Sequence, residues 1–207
     1  MHIELTEMLR CPERHEEAFL VMSTGEMVGR MVRSGILACP RCGREYLIVK
    51  GVANLSGAGS REAGGDPAAH PPVSRLPPPV DAETLQALLD LSGPGGYVVL
   101  LGSAARHAVG LAGLMGGIHF VGVNAPADVE ELPALSLLAC DAMIPLRQAI
   151  ARAVVVGRDR PEAAWVAEAL RVLLPGRRLV AEREDVAVPA GLTRLALGQG
   201  LFVGERR

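Results

Sequence analysis

The chain has 207 residues, enough for one sizeable domain or for a small module joined to a minimal α/β domain. Apolar residues make up 49% against 21% charged, which excludes wholesale disorder. The net charge of −2 provides no basic excess for non-specific nucleic-acid binding, and no run of about eighteen apolar residues is present to span a membrane.

The opening stretch, MHIELTEMLRCPERHEE, carries acids where a signal peptide needs a basic start and an apolar core, so a cytoplasmic protein is expected. Residues 1–55 read as a short β module. Ala18–Ser23 precedes a Thr24-Gly25 turn signal, followed by strand-forming runs at Met27–Val32, Gly35–Ala38 and Tyr46–Val49. A unit this small rarely holds on its core alone and usually takes a metal or a partner.

Residues 56–80 hold six prolines and four glycines, with no aromatic residue, and read as a mobile linker. Residues 81–207 alternate helix and strand. Asp81 caps a helix striped by Leu85, Leu88 and Leu89, and Tyr97–Leu101 is a buried-strand run. A helix over Ser103–Met115 follows, then strands at Ile118–Val123, Leu135–Ala139, Val154–Val156 and Leu179–Ala181. A helix opening near Pro161 precedes the last of these, and the tail is a hairpin around Gly198-Gln199-Gly200. The pattern predicts an α/β fold: a mostly parallel, Rossmann-like sheet with helices on both faces, preceded by the small β-rich module.

Two knuckles carry the metal chemistry, Cys11-Pro12-Glu13-Arg14-His15 and Cys39-Pro40-Arg41-Cys42. Tetrahedral zinc takes four thiolate or imidazole donors from two tight turns, which makes Cys11, His15, Cys39 and Cys42 the candidate ligands of a structural zinc. The alternative is that the cysteines pack as small apolar residues. Cys140 stands apart and reads as a core residue.

With those knuckles, residues 1–56 resemble the zinc-ribbon family of small activator subunits that partner transfer-RNA and protein methyltransferases. The match runs through Gly35, Leu37, Cys39, Cys42, Tyr46, Ile48, Gly51 and Val52, with His15 where a cysteine is usual. The resemblance implies a zinc-stabilised module that binds proteins. It also raises the possibility of a ribbon folded back onto its own body.

Residues 81–204 resemble class I methyltransferases that use S-adenosylmethionine. The closing run Ala169–Val180 (ALRVLLPGRRLV), Cys140-Asp141-Ala142 and the final hairpin carry that likeness. By it, Gly102, Ser103, Asn124 and Asp141 fall at the cofactor-binding positions. The loop departs from the family pattern at Leu100, Ala104 and Arg106, where an acid and two glycines are expected, and Asn124 replaces the acid that holds the ribose. Asp141 equally suits a helix cap; Gly157-Arg158-Asp159-Arg160 follows the fourth strand, where related enzymes often place substrate residues, but reads first as an exposed loop and helix cap. His107 and His119 have no carboxylate at telling spacing, so no catalytic residue is assigned.

Three functions follow. The favoured one is a non-catalytic binding or regulatory protein, a pseudo-methyltransferase with a structural zinc ribbon that docks a partner such as a methyltransferase or a larger assembly. The second is an active S-adenosylmethionine-dependent methyltransferase with a divergent cofactor loop. The third is a body that binds another anion at the helix after Gly102, aided by Arg106.

Overall fold

The structure, a computed structural model, describes residues 1–57 and 77–207. Most of the stretch expected as a linker therefore lies outside the described residues.

The first part begins with a 3-10 turn at Ile3–Met8 and continues through six strands: β1 (Val21–Thr24), β2 (Met27–Val28), β3 (Met31–Val32), β4 (Gly35–Ala38), β5 (Glu45–Val49) and β6 (Val52–Asn54). The expected single strand over Met27–Val32 is instead a tight hairpin, because Gly29 turns the chain at φ 59°. Strand β6 and the 3-10 turn have too few residues to show a period in sequence.

The second part contains α1 (Ala82–Leu89), β7 (Tyr97–Leu101), α2 (Ala108–Leu114), β8 (His119–Val123), β9 (Leu135–Ala139), β10 (Ala151–Val156), α3 (Ala163–Val172), β11 (Leu173–Ala181), β12 (Leu192–Gly198) and β13 (Leu201–Arg206). Asp81 caps α1 as expected, its carboxylate accepting from the Thr84 N–H at 2.8 Å. The helix expected over Ser103–Met115 divides: Gly102–His107 is a 3-10 turn, and only the residues after it are α-helical.

All strands except β2 and β3 join one eleven-stranded sheet in the order β1-β4-β5-β6-β9-β8-β7-β10-β11-β13-β12. The block β9-β8-β7-β10-β11 is parallel, and β13 enters antiparallel between β11 and β12. At the seam β6 pairs parallel with β9, setting Val52, Ala53 and Asn54 beside Leu137, Leu138 and Ala139. The strands of the first part thus extend the sheet of the second.

Alternation along each strand divides the interior into two cores. On one face, α3 covers Val99, Leu101, Val121, Val123 and Val154, and this core runs on into Leu37, Tyr46, Ile48 and Ala53 of the ribbon. On the other face, α1, α2 and the 3-10 turn cover Val98, Leu100, Phe120 and Val155. The expected α/β architecture with helices on both faces is the one observed.

Candidate functional site

The metal knuckles are built by short backbone loops. The Cys11 N–H donates to the Ala18 carbonyl at 2.9 Å. The second knuckle closes through Gly43 N–H to Cys39 C=O at 2.9 Å and Cys39 N–H to Arg44 C=O at 2.8 Å, with Gly43 left-handed at φ 70°. Cys11, His15, Cys39 and Cys42 thereby bring their donor atoms within 4.8 Å of one another. Cys11 Sγ and Cys42 Sγ are 3.8 Å apart, and Cys39 Sγ and His15 Nε2 are 3.5 Å apart. A tetrahedron with bonds of about 2.3 Å to sulfur and about 2.0–2.1 Å to nitrogen has edges of roughly 3.8 and 3.5 Å. The cluster could hold a four-coordinate metal ion.

The surroundings suit that role. His15 Nδ1 lies 2.6 Å from the Glu16 carbonyl, which requires the proton on Nδ1 and leaves the Nε2 lone pair facing Cys39. Burial pushes the Cys11 thiol up to about 11, against the pull of the Tyr46 hydroxyl. Burial also raises Cys39, but N–H groups of Cys42 and Arg41, together with the Cys42 and Cys11 thiols, outweigh it and bring that thiol to about 7. Glu13 of one knuckle pairs with Arg44 beside the other.

The predicted cofactor residues Gly102, Ser103 and Asn124 gather at the carboxyl ends of β7 and β8, and there the structure has closed over them. Gly102 is left-handed at φ 58°, and a Cβ on it would lie 2.5 Å from an Asp159 carboxylate oxygen. The Ser103 N–H donates to that same Asp159 oxygen at 2.7 Å. The Ser103 hydroxyl donates to Glu182 at 3.5 Å, and the other Glu182 oxygen meets His107 Nε2 at 2.8 Å. Arg160 donates to the Asn124 carbonyl at 3.4 Å and lies with its guanidinium 5.7 Å from the Trp165 ring centre. Asp159 and Arg160, expected as an exposed loop and helix cap, instead turn inward, Arg160 buried and Asp159 partly so, because β10 ends level with β7 and the following loop folds across it.

Asn124 is occupied at both ends of its side chain. Its Nδ2 donates to the Cys140 carbonyl and its Oδ1 accepts the Cys140 N–H, each at 2.9 Å. Asp141 is not a helix cap: it is exposed after the end of β9, and its carboxylate accepts from the Gly57 N–H at 2.6 Å, across the β6–β9 seam. Burial pushes the Cys140 thiol up to about 12, which disfavours a nucleophilic thiolate there. Arg106, expected to favour an anion, binds both oxygens of Asp128 at 2.9 and 3.0 Å.

Sequence reasoning did not select Asp159, Arg160, Glu182 or Tyr46 for these sites. The signal for Glu182 was only an acid directly after an apolar strand; Asp159 was visible as a loop residue without a partner.

No protein-family model matches the chain, and no curated protein matches it. Among solved structures it is similar to geranyl diphosphate C-methyltransferase from Streptomyces coelicolor A3(2), at 19% identity and a TM-score of 0.41 over 48% of this chain and 41% of that one. A complex of the Haloferax volcanii Trm112 methyltransferase activator with a protein described as a methyltransferase matches at 19% identity and a TM-score of 0.39, over 48% of this chain and 50% of that one. A SAM-dependent methyltransferase from Aquifex aeolicus matches at 16% identity and a TM-score of 0.45, over 61% of this chain and 88% of that one. The chain spans about two fifths to one half of the length of the first two. Among the described residues no helix is long and apolar enough to cross a membrane.

Proposed function

We propose that this protein is a non-catalytic, methyltransferase-like binding protein carrying a structural zinc ribbon on its own sheet. The observation that carries the reading is Asp159. Its carboxylate fills the space beside Gly102 and takes the Ser103 N–H, the backbone group that a bound cofactor would need. With Asn124 committed to Cys140, the positions inferred for S-adenosylmethionine are spent on the protein's own hydrogen bonds.

Zinc is the metal this reading assigns to the ribbon. Three thiolates and an imidazole form a donor set of the structural type, and all four positions of the tetrahedron are filled by protein. Such an ion stabilises the fold and leaves no place for substrate. Strand β6, the edge through which a ribbon could pair with a separate methyltransferase, is taken by β9 of the same chain. The ribbon therefore acts first on its own body. Exposed Val21, Ile36 and Val49, which share one face of its sheet, support a further protein partner such as a methyltransferase or larger assembly.

Calorimetric titration with S-adenosylmethionine and its demethylated product tests the reading. The expected result is no binding heat up to millimolar ligand in the wild type. Micromolar binding would overturn the proposal and restore the active-methyltransferase reading.

A further inference from the structure

We infer that Tyr46 tunes the metal centre, its phenolic hydroxyl donating a hydrogen bond to the Cys11 thiolate. The inference rests on the zinc reading above and adds a residue outside the ligand set. Tyr46 is 1% exposed, and its hydroxyl lies 3.3 Å from Cys11 Sγ. A buried phenol requires a hydrogen-bond partner. A metal-bound thiolate has no proton to give, so the direction is fixed: O–H donates and sulfur accepts.

The position is held firmly. Tyr46 is the second residue of β5, opposite Leu37 of β4, with its ring in the core shared by ribbon and body. The three thiolates therefore differ in surroundings. Cys42 is exposed to water, whereas Cys11 and Cys39 are buried. Cys39 has N–H groups of its own knuckle, while Cys11 has the Glu13 N–H of its knuckle and, in addition, a side-chain donor delivered from β5. Removing that donor leaves buried negative charge with one fewer hydrogen bond, and loss of such a partner typically costs about 10–100-fold in metal affinity.

The test compares the full-length wild type with Tyr46→Phe. Zinc affinity is measured against a competing chelator, and the cobalt(II)-loaded proteins are compared by absorption. The expected result is an affinity lower by about 10–100-fold. The sulfur-to-cobalt charge-transfer band should also move to longer wavelength, because the sulfur lone pair is no longer stabilised. A residue that only packs would leave that band in place. A second measurement uses 3-fluorotyrosine incorporated into Tyr97→Phe protein, where Tyr46 is the one tyrosine left. The more acidic phenol is the stronger donor, and the band should move to shorter wavelength. Unchanged affinity and band position in a metal-binding wild type and its variant would overturn the role of Tyr46. A wild type that takes up neither zinc nor cobalt would overturn the zinc reading itself, and this inference with it.

Discussion

His119 at the start of β8 is held neutral by its surroundings. Burial, and after it the charge of His2, whose ring lies 5.0 Å away, lower its pKa from 6.5 to about 4. Its Nε2 meets the Ser136 hydroxyl at 2.9 Å, and Tyr97 packs edge-on against the ring. Between those two pKa values the unfolded chain binds a proton that the folded protein refuses. The stabilisation is therefore complete above pH 6.5, declines as pH falls towards 4, and is constant below that. The partly open site limits the loss to about 2–3 kcal/mol. Urea unfolding at pH 7 and 4.5 should show a drop in the wild type that is smaller by that amount in His119→Gln. Equal drops in the two proteins would refute it. Asn124 makes a related point, since it is left-handed at φ 52°, a conformation asparagine tolerates better than most residues. That backbone and the Cys140 clamp account for an asparagine at this position.

Among the elements, the loop between β9 and β10 ties the two halves together. The Arg10 N–H donates to the Pro145 carbonyl at 3.1 Å, and the Arg147 N–H to the Met8 carbonyl at 2.9 Å. These bonds lie immediately before Cys11, so the first metal knuckle and the body's loop share one piece of backbone. On its inner side the loop is fixed to α3, where Arg171 donates to the Ile144 and Leu146 carbonyls and Glu168 accepts the Ile144 N–H. Removing the metal with a chelator should loosen the outer attachment and leave the inner one. Hydrogen exchange at the Arg10 and Arg147 amides should rise at least about tenfold, with the amides of β7 and β8 unchanged. Uniform acceleration, or none, would show that the knuckle does not carry the loop.

For the whole molecule, the shared core decides cooperativity. Leu37, Tyr46 and Ile48 of the ribbon lie in one cluster with Val121, Val123 and Trp165 of the body, and β6 continues the backbone ladder into β9. Neither half can open without exposing apolar surface of the other. Unfolding in urea should therefore be a single transition, coincident for Trp165 fluorescence, which reports the body, and for metal release, which reports the ribbon. Metal release at clearly lower urea would mean that the halves are independent. The polar cluster after β7 is also decided at this scale, since Asp159, Glu182 and Ser103 come from three separate connections and meet only where β7, β10 and β11 end side by side.

Local chemistry was legible in the chain by itself. The apolar runs of β7 and β8, the Asp81 cap, the glycine-centred final hairpin and the four candidate metal donors all lie in short segments whose spacing reflects their structure. Period and turn chemistry act over a few residues, so they survive in a linear reading. Tertiary structure decided the rest. The β6–β9 seam joins segments more than eighty residues apart, and β6 is only three residues long, too short to display a period. The inward placing of Asp159 depends on the alignment of β10 with β7, and the bond between Tyr46 and Cys11 on strand β5 lying beside the first knuckle. Long-range partners of single polar residues leave no pattern along the chain, because geometry and not spacing brings them together.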